Sequence, residues 1–266
     1  MSRNSKRKNK KRKKRKINMS KIETKSTEMK KKRLILVLGS KGGIGKSVYC
    51  YNVGNIFQRE GVKSYYFDMD NESKSSSDRQ MRFVDMKQYN LINTHTKTID
   101  RSMLGEFLDD MLENEKAETV LCDFGAASSE QFLVYLQSSN GRALFNDYKD
   151  EIQFEFHCVM VAGNSFPMTA DYCEDLFAAT KKLGKLFIAQ NNHYPFTQVQ
   201  KDEVKKIKRE FKPQIVPYTI ILDDAANAVE KVKQQMYNGA ASYDISRRST
   251  RLLYNLMLDE MNFPLK

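Results

Sequence analysis

The sequence contains few residues of the types that build metal or disulfide sites. It has three histidines and four cysteines in 266 residues. His95, His157 and His193 stand far apart, and no cysteine pair has the CxxC spacing of a zinc or redox site. We therefore expect no transition-metal centre. We interpret the histidines as structural and the cysteines as buried, reduced thiols of a cytoplasmic protein.

Long apolar runs are also absent. No stretch approaches the roughly 20 apolar residues that a membrane-spanning helix needs, and no apolar signal-peptide segment follows the charges at the N-terminus. The C-terminal run RLLYNLMLDEM has apolar residues at helical spacing and an acidic end. That pattern predicts packing into a core, because a helix that lies on a membrane surface is usually basic. The sequence therefore predicts no membrane contact.

Positive charge is concentrated at the N-terminus. Residues 1–33 hold 17 Lys and Arg and two acidic residues, so their net charge is +15, while the whole chain carries +12. Such a segment, almost without apolar residues, is predicted to be a disordered basic N-terminal tail. In one interpretation, residues 3–16 bind the phosphates of DNA or RNA without sequence preference. The alternatives are a solvated tail, or an extension upstream of a true start at Met19 instead of Met1.

The rest of the chain is organised around the stretch LILVLGSKGGIGKS at residues 34–47. An apolar run typical of a buried strand leads into a loop with three glycines, which opens a helix at Lys46 and Ser47; the glycines are Gly42, Gly43 and Gly45. Without a Cβ, the loop can turn its N–H groups toward one centre, where a phosphate would bind. Lys46 can then reach the β- and γ-phosphates, and the Ser47 hydroxyl can reach Mg²⁺.

Three carboxylates follow predicted strands. Asp68 and Asp70 come after the run YYF, and Asp123 comes after TVLC. Ligands of an open α/β sheet bind at the carboxyl ends of its strands, so these side chains are expected beside the loop. Phosphate-bound Mg²⁺ takes hard oxygen ligands, which favours a Walker B role for Asp123 over a helix cap or turn. Gly125, two residues further on, can present its N–H to the γ-phosphate.

Strands and helices are predicted to alternate along the chain. Predicted strands cover residues 34–38, 63–67, part of 88–93, 118–122, 154–162, 185–190 and 214–221, and predicted helices cover 46–60, 101–114, 128–139 and 168–183, with more helices after 221. This order is typical of an α/β protein with a doubly wound, mostly parallel sheet flanked by helices. We predict one P-loop ATPase domain over residues 34–266, preceded by the basic tail at 1–33.

Residues 40–47, SKGGIGKS, resemble the deviant Walker A loop KGGxGK[ST] of the ParA/MinD family of dimerising ATPases. The first residue, Ser40, occupies the place of the first glycine in the common G-x-x-x-x-G-K-[ST] pattern. The resemblance implies an ATP-binding loop made of Ser40, Lys41, Gly42, Gly43, Ile44, Gly45, Lys46, Ser47 and Val48. Val48 departs from the family, which commonly has Thr or Ser there. The resemblance also implies that Lys41 reaches across an ATP-bound homodimer to the partner's phosphates.

The segment YFDMD at residues 66–70 looks like the Walker A′ segment of the same family. The resemblance implies that Asp70 positions the attacking water and that Asp68 supports the Mg²⁺ shell. Lys41, Lys46 and Asp70 are then the catalytic candidates, and Ser47, Asp68 and Asp123 are the metal candidates. Asn191 matches the position of the asparagine with which the family reads adenine. Asn192 is close enough that sequence alone does not separate the two.

The segments CDFGAAS at residues 122–128 and HCVMVAG at 157–163 resemble the TraL-type branch, ParA-like proteins encoded with plasmid conjugation genes. The resemblance implies slow ATP hydrolysis that times binding to DNA or to a partner protein, in plasmid or mobile-element partition or in conjugal transfer. The tail would add affinity for nucleic acid. The alternative is a nucleic-acid-binding scaffold that holds nucleotide structurally without significant turnover.

Overall fold

The computed structural model describes residues 31–69, 81, 86–93, 95–96, 98–114, 118–219, 226–241 and 244–265. The basic segment at residues 1–30 lies outside this part, and so does Asp70. The described chain forms a seven-stranded parallel sheet with helices on both faces. This architecture confirms the predicted α/β, doubly wound fold.

Every neighbouring pair of strands in the sheet is parallel. The strands are β1 (Lys32–Leu38), β2 (Ser64–Met69), β3 (Met86–Gln88), β4 (Thr119–Phe124), β5 (Ile152–Val161), β6 (Gly184–Asn191) and β7 (Gln214–Tyr218). Their spatial order is β3-β2-β4-β1-β5-β6-β7, which places β1 at the centre. The chain therefore winds outward from β1 in both directions, and loops from several strands meet at the carboxyl edge of the sheet.

The described helices connect these strands and cover both faces of the sheet. They are α1 (Lys46–Arg59), α2 (Arg101–Glu113), α3 (Ala126–Gln137), α4 (Ser139–Tyr148), α5 (Phe166–Thr180), α6 (Gln198–Phe211), α7 (Ala226–Tyr237) and α8 (Arg248–Glu260). Among them, none combines the length and apolar composition of a membrane-spanning helix. Tyr254, Met257 and Leu258 of α8 are buried, in agreement with the predicted core packing of this segment.

The central strand divides the hydrophobic core in two. Leu34, Leu36 and Leu38 pack on the face covered by α2 to α6, whereas Ile35 and Val37 pack on the face covered by α1, α7 and α8. Successive side chains of a strand point to opposite faces, so an uninterrupted apolar run is what a strand with two covered faces requires. The run LILVL at residues 34–38 therefore fits a strand that is covered on both faces.

Two helices were not predicted from the sequence. The predicted helix at 128–139 corresponds to α3, and the unpredicted α4 follows it directly, because Ser138 ends α3 and its Oγ accepts a hydrogen bond from the N–H of Gly141 in α4. Helix α6 begins with a capping box in which Thr197 and Gln200 satisfy each other's backbone N–H groups. Only Val204 and Ile207 of α6 are buried, so its apolar periodicity is weak.

The first strand begins within the basic region. Lys32 and Arg33, which the charge count groups with the tail, lie in β1. The Lys32 ammonium donates hydrogen bonds to three carbonyl oxygens at the end of α2, those of Met111, Leu112 and Asn114, at 2.9, 2.8 and 2.6 Å. A cation at the carboxyl end of a helix is electrostatically favourable. Lys32 therefore joins the start of β1 to the end of α2, at the amino edge of the sheet. The glycine loop that follows β1 lies at the opposite edge.

Candidate functional site

The loop between β1 and α1 has the backbone geometry of a phosphate cradle. Gly43 and Gly45 have φ values of +75° and +97°, in the left-handed region that favours glycine. Gly45 is the N-cap of α1 and has no side chain to cap the helix, so the first N–H groups of α1 face the loop. These features support the predicted anion-binding role of the loop.

Two lysines of this loop are held in defined positions. The Lys46 side chain is 7% exposed, and its Nζ donates a hydrogen bond to the Lys41 carbonyl oxygen at 2.9 Å. Lys46 therefore folds back over the loop from the start of α1. The Lys41 Nζ donates to the Ser165 Oγ at 2.7 Å, in the short 3-10 turn after β5. Both cations thus lie at the carboxyl edge of the sheet.

Two of the predicted carboxylates lie side by side. Asp68 of β2 and Asp123 of β4 are partners in the parallel register, and each is 2% exposed. Val37, the penultimate residue of β1, is the other neighbour of Asp123. The two carboxylates therefore stand next to the phosphate loop, as the sequence predicts. The third one, Asp70, lies outside the described residues.

These residues fit a phosphate-bound Mg²⁺ better than a metal held by protein alone. In the described part of the chain, no three His, Cys, Asp or Glu side chains come together as a metal cluster. Ser47 is the second residue of α1, at the end of the phosphate loop, so the candidate donors are one hydroxyl and two carboxylates. Mg²⁺ prefers such hard oxygen ligands and takes its remaining ligands from water and phosphate.

A cysteine that sequence analysis treated only as a core residue lies beside this pair. Cys50 is on α1, one turn after Ser47, and is 1% exposed. Burial, and then the charge of Asp123, raise the pKa of the Cys50 thiol well above its ordinary value. The thiol is therefore neutral at physiological pH and forms part of the wall of the site.

A serine links the phosphate loop to the segment after β4. The Ser129 Oγ donates to the Gly125 carbonyl oxygen at 2.7 Å and accepts from the Gly39 N–H at 3.2 Å. Gly125, the predicted γ-phosphate switch, is therefore joined to the start of the loop. The Ser40 Oγ is buried and has no hydrogen-bond partner among the described residues. Sequence analysis missed Ser129, because nothing in its spacing marks a contact with a residue 90 positions away.

Asn191 lies against the phosphate loop from β6. Its Nδ2 donates to the Ile44 carbonyl oxygen at 2.9 Å, and its Oδ1 accepts from the His193 N–H at 3.0 Å. Asn192, the alternative base-contacting residue, is exposed, and its Oδ1 accepts from Gln190. Of the two, only Asn191 contacts the loop.

Tyr218 lies beside Asn191 and was missed. Its hydroxyl donates to the Gly45 carbonyl oxygen at 3.1 Å, with a longer contact of 3.4 Å to that of Ile44. The sequence signal was available, because Tyr218 is a polar residue at the carboxyl end of a strand, as Asn191 is. The predicted strand, however, continued to residue 221.

A buried polar network extends from the site toward the opposite edge of the sheet. Tyr49 contacts Tyr218 through its ring, and its hydroxyl is 2.8 Å from the His157 Nδ1. Arg33 donates two hydrogen bonds to Glu155, at 2.8 and 2.7 Å, and His157 lies 3.4 Å from the same carboxylate. This hydrogen bonding agrees with the prediction that His157 is structural.

The ionisation of this network is strongly perturbed. Burial alone would raise the pKa of Glu155, but the hydrogen bonds from His157 and Arg33 and the charge of Arg33 outweigh it and lower the pKa to about 2. Burial also lowers the pKa of His157, partly offset by Glu155. At neutral pH the network therefore contains one ion pair, Arg33–Glu155, and a neutral imidazole.

Comparison with known proteins gives one family and a set of structural neighbours. The family model described as the CobQ/CobB/MinD/ParA nucleotide binding domain matches residues 35–236. No curated protein matches the sequence. A ParA family ATPase from Chlorobium tepidum TLS aligns over 88% of this chain and 99% of its own, at 13% identity and a TM-score of 0.52.

Two further solved structures have lower TM-scores. The MinD cell division protein of Aquifex aeolicus covers 88% of this chain and 99% of its own, at 15% identity and a TM-score of 0.48. A complex of Cyanothece McdA with ATP covers 89% and 98%, at 12% identity and a TM-score of 0.45. At such identities the similarity concerns the fold alone, and the TraL-type resemblance stays a prediction.

Proposed function

The chain belongs to the CobQ/CobB/MinD/ParA nucleotide-binding family, and from this premise we propose that it binds ATP with Mg²⁺ and hydrolyses it slowly. The observation that carries the proposal is the in-register pair of buried carboxylates, Asp68 and Asp123, beside a glycine loop with left-handed φ values. The loop N–H groups would hold the β- and γ-phosphates, with Lys46 as their counter-charge. Ser47, Asp68 and Asp123 would hold the metal.

Hydrolysis transfers the γ-phosphoryl group to water, and the protein contributes positioning and charge. We assign the orientation of the attacking water to Asp70, as the family resemblance predicts. Mg²⁺, when bound, neutralises charge on the β- and γ-phosphate oxygens. Gly125 is the candidate N–H donor to the γ-phosphate, and its bond to Ser129 would transmit the presence of that phosphate to α3.

We further propose that ATP drives formation of a homodimer in which Lys41 contacts the partner's phosphates. In the single chain, Lys41 is bound to Ser165 of its own subunit. Dimerisation would replace this bond with a contact to transferring phosphate oxygens, where a positive charge is most effective. Turnover would then require two subunits, and nucleotide binding would require one.

The cellular setting we favour is the cytoplasm, in plasmid or mobile-element partition or conjugal transfer, with a protein partner from the same system. The basic residues 3–16 would hold DNA or RNA without sequence preference. Support for this setting is the charge of the tail and the family resemblance. The adenine contact of Asn191 stays a prediction of the resemblance.

The test is the mass in solution with ADP and with a slowly hydrolysed ATP analogue, together with ATP turnover. We would compare wild type, Lys41→Ala, and Lys185→Ala as a control for loss of an exposed lysine at the amino end of β6. The proposal is supported if the dimer forms only with the triphosphate and if ATP turnover is lost in Lys41→Ala. Nucleotide binding without turnover favours the scaffold alternative, and a monomer in both states rules out the dimer mechanism.

A further inference from the structure

Asn191 and Tyr218 end neighbouring strands and face the same two residues of the phosphate loop. They are register partners in the β6–β7 pair, and the Asn192 N–H donates to the Tyr218 carbonyl oxygen at 2.8 Å. A Cβ added to Gly45 would lie 2.8 Å from both the Asn191 Nδ2 and the Tyr218 hydroxyl oxygen. The two polar groups are thus packed against the loop at one point, and only glycine leaves room for them.

Their hydrogen bonds hold two consecutive peptide carbonyls. Asn191 binds the carbonyl oxygen of Ile44, and Tyr218 binds that of Gly45. Across a trans peptide, the C=O of one residue and the N–H of the next point in opposite directions. Fixing these two carbonyls therefore turns the N–H groups of Gly45 and Lys46 to the other side of the loop.

The Tyr218 hydroxyl is a fixed, neutral donor. The side chain is 2% exposed, and its ring packs against that of Tyr49 with the centroids 5.0 Å apart. Burial raises the pKa of Tyr218 well above its ordinary value, only partly offset by a hydrogen bond from Asn191. The phenol therefore keeps its proton at neutral pH and can donate it to the loop.

We propose that Asn191 and Tyr218 are positioning residues that orient the phosphate loop, so that their contribution to nucleotide affinity does not depend on the base. This inference rests on the proposed nucleotide binding, and it gives Asn191 a role other than reading adenine. Its amide oxygen accepts from His193, and its amide nitrogen donates to Ile44 and to the Tyr218 hydroxyl. A base contact would have to compete with these bonds.

The experiment compares affinities for ATP, GTP and the base-free ligand tripolyphosphate, each with Mg²⁺. The variants are Asn191→Ala and Tyr218→Phe, the second of which keeps the ring. The matched control for Asn191 is Asn146→Ala, which loses the hydrogen bond from Nδ2 to the Arg142 carbonyl oxygen at 2.9 Å. The matched control for Tyr218 is Tyr51→Phe, which loses the hydrogen bond from the hydroxyl to the Ala240 carbonyl oxygen at 2.8 Å. Thermal melting without ligand establishes that each variant is folded.

We expect both site variants to weaken all three ligands by a similar factor, roughly three- to tenfold, the range for one lost neutral hydrogen bond. The controls should stay within about twofold of wild type, since neither bond involves a residue of the loop. If Asn191→Ala weakens ATP alone, Asn191 reads the base and the positioning role is wrong for it. If Tyr218→Phe binds all three like wild type, its hydroxyl does not position the loop.

The same data separate this inference from the proposed function. Wild-type protein that binds none of the three ligands would contradict nucleotide binding itself. Wild-type protein that binds ATP, with an ATP-only loss in Asn191→Ala, would leave nucleotide binding intact and overturn the positioning role alone. If Asn191→Ala does not fold, Tyr218→Phe alone tests the positioning role. This variant removes one oxygen atom and keeps the packing of the ring.

Discussion

Lys41 is hydrogen-bonded through its Nζ to the Ser165 Oγ of the same chain, at 2.7 Å. Lys41 belongs to the phosphate loop and Ser165 to the turn after β5, 124 positions away. The bond holds the lysine within its own subunit. A contact with a partner's phosphates therefore competes with a contact that the single chain already satisfies.

From this competition we predict that Ser165→Ala strengthens ATP-dependent dimerisation. Removing the acceptor releases Lys41 in both subunits and should lower the dimer dissociation constant about thirtyfold with a slowly hydrolysed ATP analogue, the effect of two hydrogen bonds of about 1 kcal/mol each. Sedimentation at several concentrations measures it. Ser138→Ala, which removes a serine hydroxyl at the α3–α4 junction, controls for a general effect on stability. A weaker dimer would mean that Ser165 orders Lys41 for the interface.

Lys46→Ala should abolish ATP binding. The side chain is almost fully buried over the loop, and a charged hydrogen bond to phosphate is among the strongest in proteins. We expect at least a roughly hundredfold loss of affinity in a fluorescent-nucleotide titration. Lys185→Ala, which removes an exposed lysine far from the loop, should bind as wild type. Micromolar ATP affinity retained by Lys46→Ala would refute the phosphate-cradle assignment.

Asp68→Asn should stabilise the fold and lower ATP turnover. Two buried carboxylates in register repel each other unless a cation separates them, and a neutral amide removes that repulsion. Without Mg²⁺ the melting temperature should rise by about 2–4 °C, which corresponds to roughly 1 kcal/mol in a domain of this size. Mg²⁺-dependent ATP turnover should fall at the same time. A lower melting temperature would show that hydrogen bonds to the Asp68 carboxylate outweigh the repulsion.

Acidification should destabilise the fold in two stages. The pKa of His157 is lowered in the folded state, so the unfolded chain binds more protons as the pH falls through about 6.5, the ordinary value for histidine. The pKa of Glu155 falls from 4.5 to about 2 on folding, so its contribution is complete above pH 4.5 and is lost between there and about pH 2. That contribution is about 3 kcal/mol.

Denaturant unfolding between pH 7 and pH 3 measures this dependence, with Glu155→Gln as the comparison. The variant should be less stable at pH 7, because it leaves the buried Arg33 without its ion-pair partner, and its stability should vary less below pH 4.5. Equal slopes for the two proteins in that range would show that other carboxylates dominate the acid transition.

Deletion of residues 1–30 should weaken DNA binding and flatten its salt dependence. Each phosphate contact contributes a slope of about −0.9 to log K against log salt for double-stranded DNA. Residues 3–16 contain 11 Lys and Arg, so the slope should become less steep by several units. ATP affinity of the truncated protein serves as the control and should not change. An unchanged salt slope would mean that the DNA contacts lie on the folded domain.

The phosphate loop could be predicted from sequence because its glycines and Lys46 are contiguous and lie between a strand and a helix. Asp68 and Asp123 could be predicted because each follows an apolar strand. Ser165 and Ser129 could not, because their contacts with the loop depend on the order of strands in the sheet. Tyr218 stands at the end of a strand, which the sequence could indicate, but its contact with the loop depends on the same strand order. Ser165 reaches Lys41, 124 positions away, because β5 lies next to β1 in the sheet. Tyr218 reaches Gly45, 173 positions away, from the end of β7. The missed helix α6 has too few buried positions to show a clear period.

The attachment of Lys32 to the end of α2 has a consequence for avidity. The seven residues of β1 separate Lys32 from the phosphate loop by about 20 Å, and a fully extended chain of the 31 residues before them would span roughly 100 Å. In the proposed function, the tail would act as a tether whose origin is fixed where β1 begins. In the proposed dimer, two tethers would share one nucleic acid, and the second would bind at a high effective concentration. ATP could then control retention on nucleic acid by changing the number of tethers, with no change in the contacts that either one makes.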